Sequence, residues 1–189
     1  MRRKAGWPSD CNNSNIAGCG RCNRQLGRNR HRIKMDKVIV VPNFFDQQDA
    51  YDLIRYMDKL KQDEMLHNRG EGRIGLTDSE DPVLIRFVNK YQSKVIDYFK
   101  DGFETRSGYA ITIYYDGVGM NMHSDGQPFP EMGALFYLND DYEGGELVVE
   151  PDFKYKPKAL DMVYMPSDPM HGVLPVKNGT RYFFTISLK

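Results

Sequence analysis

From Val38 to Leu188 the chain alternates short apolar runs with polar stretches, and the spacing within the runs changes from helical to strand-like near residue 109. Val38–Val41 is apolar and mostly β-branched, which predicts a strand. Ala50, Leu53, Ile54 and Met57 then recur three and four residues apart, predicting a helix capped by Asp46 and running to about Lys61. Leu84, Phe87, Val88, Tyr91, Val95 and Phe99 repeat that spacing after Asp81-Pro82. Proline is tolerated there because the first helical turn does not use its missing N–H, so a second helix is predicted to about Lys100. Between the helices, His67–Asp81 is polar and rich in glycine, and predicts a mobile loop holding a short strand at Ile74–Leu76. Beyond it the signals are β runs separated by Gly, Pro and Asp turns: Tyr109–Tyr115, Gly133–Leu138, Glu146–Glu150, Leu160–Tyr164, His171–Leu174 and Thr180–Leu188. The expected fold is mainly β (α+β), a sandwich or barrel with the two helices packed outside it.

Composition changes this picture at the N-terminus. The chain has 189 residues, 40% of them hydrophobic and 12% aromatic, enough for one core. No run approaches the roughly 18 apolar residues of a membrane-spanning helix. Of 26 basic and 26 acidic residues, nine and one fall within residues 1–34, leaving 17 and 25 for the rest. Two regions are expected: a basic, disordered extension over 1–34 and an acidic domain over 35–189. An acidic domain is a poor non-specific ligand for nucleic acid, whose affinity comes mainly from Lys and Arg on phosphate. All three cysteines, Cys11, Cys19 and Cys22, lie in the extension with His31, leaving open a zinc site or free thiols. Met35 opens the structured pattern, so translation from it would remove the extension. Without a secretory pattern the expected location is cytoplasmic.

Two of the four histidines, His123 and His171, sit in the β region. In an extended segment, residues i and i+2 point to one side, so His123 and Asp125 offer an imidazole and a carboxylate to one point. His171 would complete two His and one carboxylate, a set that leaves positions open and suits non-haem Fe(II). The bland reading, surface or core histidines, stands beside it, because His-x-Asp is common by chance. On Thr180–Leu188, strand parity puts Arg181, Phe183, Thr185 and Ser187 on one face and Tyr182, Phe184, Ile186 and Leu188 on the other. A buried Arg181 needs an anionic partner, either a ligand carboxylate or a structural acid.

Three motifs in order carry a resemblance. They are Tyr114-Tyr115-Asp116-Gly117 leading to His123-Ser124-Asp125, Phe136-Tyr137-Leu138-Asn139-Asp140 followed by Glu143-Gly144-Gly145-Glu146-Leu147, and His171-Gly172-Val173-Leu174-Pro175-Val176 leading to Gly179-Thr180-Arg181-Tyr182. The segment Val38 to Lys189 resembles the Fe(II)- and 2-oxoglutarate-dependent dioxygenases, in their prolyl 4-hydroxylase-like branch. The resemblance implies a double-stranded β-helix, a jelly-roll (cupin-like) barrel. It implies His123, Asp125 and His171 as iron ligands, Arg181 on the distal carboxylate of 2-oxoglutarate, Tyr137 hydrogen-bonded to that carboxylate, and Tyr114 in the active site. Core packing is the competing reading for both tyrosines.

The implied activity is hydroxylation of a C–H bond with O₂ and 2-oxoglutarate, releasing succinate and CO₂, with ascorbate as reductant. The leading substrate is a prolyl residue in a peptide or protein; a free amino acid or small metabolite is the alternative, and a silent metal- or partner-binding barrel is a third class. Related halogenases carry a small residue at the Asp125 position, so its presence points to hydroxylation. Ser187 departs from the tryptophan common in prolyl hydroxylases six residues after the basic residue. The short Gly126–Met132 loop leaves His67–Asp81 as the candidate lid, with Arg69 and Arg73 available to an anionic substrate; an ordinary surface loop is the equal alternative. No oligomeric state and no membrane partner are implied.

Overall fold

The computed structural model describes residues 37–100, 106–125 and 132–188. The basic extension, with its cysteine and histidine cluster, lies outside them. The chain runs β1 (Ile39–Val41), α1 (Gln47–Gln62), β2 (His67–Asn68), β3 (Ile74–Thr77), α2 (Pro82–Phe99), β4 (Arg106–Tyr114) and β5 (Met120–His123). It continues through β6 (Met132–Tyr137), β7 (Glu143–Gly144), β8 (Leu147–Val149), β9 (Phe153–Tyr155), β10 (Met162–Pro166), β11 (His171–Val173), β12 (Val176–Lys177) and β13 (Arg181–Leu188). A seven-stranded sheet has the order β1-β10-β6-β13-β4-β3-β2, and a four-stranded sheet the order β5-β11-β8-β9. Every pairing in them is antiparallel. No helix among the described residues is long and apolar enough to cross a membrane.

The helices lie against one face of the larger sheet because their apolar stripes have nowhere else to be buried. Leu53 and Met57 of α1 and Leu84, Val88, Tyr91 and Val95 of α2 join Ile111, Phe136, Phe184 and Ile186 in one cluster. Phe45 stacks on Tyr91 with ring centroids 3.7 Å apart. The Tyr91 hydroxyl donates to Asp49 Oδ2 at 2.7 Å and accepts from the Asp46 N–H at 3.0 Å. Burial, then the bond to Asp49, pushes the ionisation of that phenol far above its ordinary range. Truncating a wholly buried Leu53 here would cost about 2–5 kcal/mol.

Three expectations need correction. Asp46 is the first N-cap, but its carboxylate makes no cap hydrogen bond. It turns instead to Lys90 and Lys94 of α2, at 2.7 and 3.1 Å, because two ammonium groups outcompete an amide for a carboxylate. Asp81 does cap: its Oδ1 accepts from Val83 and Leu84 N–H at 2.8 and 3.1 Å. Second, His67–Asp81 is not a simple loop. It contains a two-stranded hairpin, β2–β3, that continues the larger sheet beyond β4. Gly75 permits this, since a Cβ there would lie 2.2 Å from the Ile111 carbonyl oxygen. Third, β5, β7, β9 and β12 were not expected as strands; with two to four residues each, they are too short to show a period.

Candidate metal centre

The site begins with strand parity. Alternate residues of β4 (Gly108, Ala110, Thr112, Tyr114) and of β13 (Arg181, Phe183, Thr185, Ser187) face a cavity of about 380 Å³ on the side of the larger sheet away from the helices. Leu147, His171 and Val173 of the smaller sheet line the same cavity, which therefore lies between the two sheets.

At its edge β5 and β11 pair so that His171 stands opposite His123. Gly172 permits the close pairing, because a Cβ there would come within 2.8 Å of the Met120 carbonyl oxygen. The imidazole centroids are 4.4 Å apart. Asp125 lies just beyond β5, its N–H donating to the Ser167 carbonyl at 3.3 Å. Its carboxylate oxygens stand 3.6 Å from His123 Nε2 and 3.8 Å from His171 Nε2. One ligand atom from each of the three residues lies within 4.8 Å of the others, the spread expected around a single ion. Each imidazole places Nδ1 2.9 Å from the carbonyl two residues earlier in its own segment, that of Asn121 for His123 and of Pro169 for His171. A carbonyl can only accept, so both Nδ1 atoms carry the proton and both Nε2 lone pairs are left for a metal. Sequence reasoning had no access to these orienting groups, since they are backbone atoms and any residue supplies them.

The second feature is an unpartnered charge. Arg181 is wholly buried, and its Nε, Nη1 and Nη2 have no hydrogen-bond partner among the described residues. Tyr114 stands directly opposite it on β4, and Tyr137 lies on the neighbouring β6 opposite Phe183. The guanidinium carbon is 4.9 Å from the Tyr114 ring, 5.0 Å from Tyr137 and 4.9 Å from Phe183. Ring faces stabilise the cation, but leave its N–H donors unpaired in the ring plane. Tyr137 is equally buried with an unpartnered hydroxyl, and burial drives its ionisation well above the ordinary range although the Arg181 charge pulls it back. Tyr142, nearby, is pushed up to about 12 by burial. Tyr114 belongs to the cavity wall, its hydroxyl 3.7 Å from Met120 Sδ, whereas Tyr137 sits beside Arg181 without lining the cavity. A leftover cation at the wall of a cavity whose rim carries the two imidazoles and a carboxylate matches a ligand with a carboxylate at one end and metal-chelating oxygens at the other.

Comparison with known proteins agrees with this chemistry. The family model described as the 2OG-Fe(II) oxygenase superfamily matches residues 109–188, the span that holds all three metal-ligand candidates and Arg181. A PKHD-type hydroxylase of Delftia acidovorans is 46% identical over 61 residues, 29% of this chain and 27% of that protein. The match thus covers about a quarter of that relative's length. Among solved structures, a Pseudomonas putida prolyl-4-hydroxylase superimposes with a TM-score of 0.71 at 16% identity, over 82% of this chain and 94% of that one. A Trichoplax adhaerens prolyl hydroxylase in complex with a peptide fragment of hypoxia inducible factor gives 0.67 at 18% identity, over 84% and 86%. Both show that the fold is the double-stranded β-helix of those enzymes. Residues 109–188, which bring His123, Asp125 and His171 together, thus carry the pattern of the 2OG-Fe(II) oxygenase superfamily, on a fold similar to that of the prolyl hydroxylases.

Proposed function

We propose that the protein is an Fe(II)- and 2-oxoglutarate-dependent hydroxylase that acts on a C–H bond, that of a prolyl residue in a peptide or protein. The observation that carries this reading is Arg181: a wholly buried guanidinium without a partner, in the cavity that ends at His123, Asp125 and His171. A structural role for that arginine would need an acid beside it, and among the described residues none pairs with it. The prolyl substrate is supported by likeness to the prolyl hydroxylases, among them one solved with a peptide.

In this reading His123, Asp125 and His171 hold Fe(II) from one side and leave its other positions open. Bound there, the iron and its cosubstrate supply the oxidising chemistry, in which O₂ and 2-oxoglutarate become succinate, CO₂ and one oxygen atom inserted into a C–H bond. Arg181 holds the distal carboxylate of 2-oxoglutarate, and Tyr137, expected by family likeness to donate to the same carboxylate, stands behind the guanidinium. Tyr114 walls the cavity on the β4 side and, with Phe183, keeps water from the guanidinium. The Asn121 and Pro169 carbonyls keep both imidazoles in the ligating tautomer. Ascorbate is expected as reductant by family likeness alone, and the cytoplasm, a reducing compartment, suits an Fe(II) enzyme.

The test is an anaerobic titration of metal-free protein with Fe(II) and then 2-oxoglutarate, followed by visible absorption. The expected result is the weak charge-transfer band of the chelate, absent from His171→Ala. Folded wild-type protein that gives no band would sink the proposal and leave a silent barrel.

A further inference from the structure

The β2–β3 hairpin brings two more guanidinium groups to the same cavity, Arg69 and Arg73. They differ in how far they are satisfied. Arg73 is pinned: Nε donates to the Gly70 carbonyl at 3.1 Å, Nη2 to the Arg69 carbonyl at 3.2 Å and Nη1 to Met120 Sδ at 3.0 Å, with Glu71 Oε2 3.5 Å away. Arg69 is half-buried, and among the described residues one of its five N–H donors is engaged, by Thr112 Oγ1 at 3.4 Å. No described carboxylate pairs with it. Asp78 lines the same wall and its charge reaches Arg69, but its Oδ1 accepts from the Tyr109 N–H at 2.8 Å and it forms no ion pair with the guanidinium. Burial first, and then the neighbouring Arg73 charge, pull the Arg69 ionisation below its ordinary value, with Tyr114 and Asp78 acting in the opposite direction.

The hairpin is also fastened at the metal side. Glu71 accepts from the Asn121 backbone N–H at 3.2 Å and from the Asn121 side-chain amide. Asn121 in turn offers its carbonyl to His123 Nδ1. The strap fixes where the two guanidinium groups sit relative to the metal ligands, so Arg69 is a positioned donor rather than a solvated surface charge.

We infer that Arg69, supported by Arg73, is a carboxylate-binding subsite for the substrate, and hence that the molecule hydroxylated carries a carboxylate close to its reacting C–H bond. This rests on the hydroxylase reading above and deepens it. Arg181 serves the cosubstrate from β13, while Arg69 reaches β4 at Thr112, two residues along the same face from Tyr114. The carboxylate has two sources, the α-carboxylate of a free amino acid or chain terminus, or the side chain of an acidic neighbour within a peptide.

Two probe pairs separate these sources: N-acetyl-L-proline against its amide, and an N-acetylated, C-amidated Asp-Pro-Ala tripeptide against its Asn-Pro-Ala counterpart. Each is added to the anaerobic Fe(II)–2-oxoglutarate protein while the chelate band is followed, and then tested in air for a product 16 Da heavier. The carboxylate member of one pair is expected to half-saturate at about one tenth of the concentration of its neutral partner or less. Arg69→Gln should remove that preference and leave the band and the 2-oxoglutarate half-saturation in place; Arg69→Lys should restore part of the preference. Equal response within both pairs overturns the inference on wild-type protein alone, whether or not the variants fold. So does a preference that survives Arg69→Gln, or a loss in that variant that falls on 2-oxoglutarate instead. A wild-type protein that forms no chelate band fails at the earlier step, and the inference goes with the hydroxylase reading.

Discussion

On the outer face of β13, Phe184, Ile186 and Leu188 are buried among the residues of α1 and α2; on the inner face Arg181 is just as buried, and no described group pairs with it. The same strand thus serves two purposes, separated by a single residue of parity. Outside, burial of apolar surface holds the helices to the sheet. Inside, a cation is kept out of water at a cost in stability that a bound carboxylate would remove. Depth of burial does not distinguish Arg181 from Phe184, Ile186 and Leu188, all at or near zero exposure, although Phe183, Thr185 and Ser187 on the inner face are only partly buried. What does is whether the polar atoms that are buried have found partners.

That comparison can be broken at several points. The largest effect is expected for Asp125→Ala: hydroxylation should be abolished, as read by product mass, and retained turnover would remove Asp125 from the ligand set. Next, Phe184→Ala should lower the unfolding free energy by about 3–5 kcal/mol in denaturant titrations, with the 2-oxoglutarate half-saturation unchanged in the protein that remains folded. Arg181→Met should do the reverse. It should raise the stability of the ligand-free protein by about 1–4 kcal/mol, and lose the gain of about 2.7 kcal/mol that 2-oxoglutarate at a hundred times its dissociation constant gives a protein that binds it. Thermal melts with and without 2-oxoglutarate measure both; an Arg181→Met protein less stable than wild type would mean that the guanidinium has a structural partner.

The smallest effect tests the helix side. Hydrogen bonds from Lys90 and then Lys94 hold the Asp46 carboxyl below its ordinary 3.8. A carboxyl whose folded value is depressed adds stability above its unfolded value, and that stability is lost as pH falls through about 4 towards the folded value. Asp46→Asn should therefore cost about 0.2–1 kcal/mol at pH 7, the small figure reflecting a half-exposed, screened pair, and less as the pH falls below 4. A variant equally destabilised at pH 7 and below pH 4 would show that Asp46 acts through its backbone position instead.

Much of the site was legible before any coordinates. His123-x-Asp125 is a local pattern, and in an extended segment two residues of equal parity must face the same way. The alternation on β13 separated Arg181, Phe183, Thr185 and Ser187 from the helix-packing face, and the cavity is lined by these four. The hairpin was less legible. Ile74–Leu76 was expected as a short strand and pairs with the edge of β4, but His67–Asn68 is two polar residues with no period to read, and is a strand only because β3 offers it an edge. Asp46 shows the limit of a local rule: its sequence position is that of a cap, but Lys90 and Lys94, more than forty residues away, claim its carboxylate.

Both helices, the longer strands, the parity of each and the identity of the groups able to bind a metal follow from neighbours along the chain, and the sequence alone shows them. It takes the tertiary structure to set His171 opposite His123, to leave Arg181 without an acid among the described residues, and to tie the Arg69 hairpin through Glu71 to the strand carrying the metal-ligand candidate His123. Those facts join residues 48 to 50 positions apart or concern a missing neighbour. Pairing register and packing set them, and both are settled only when the two sheets close on each other.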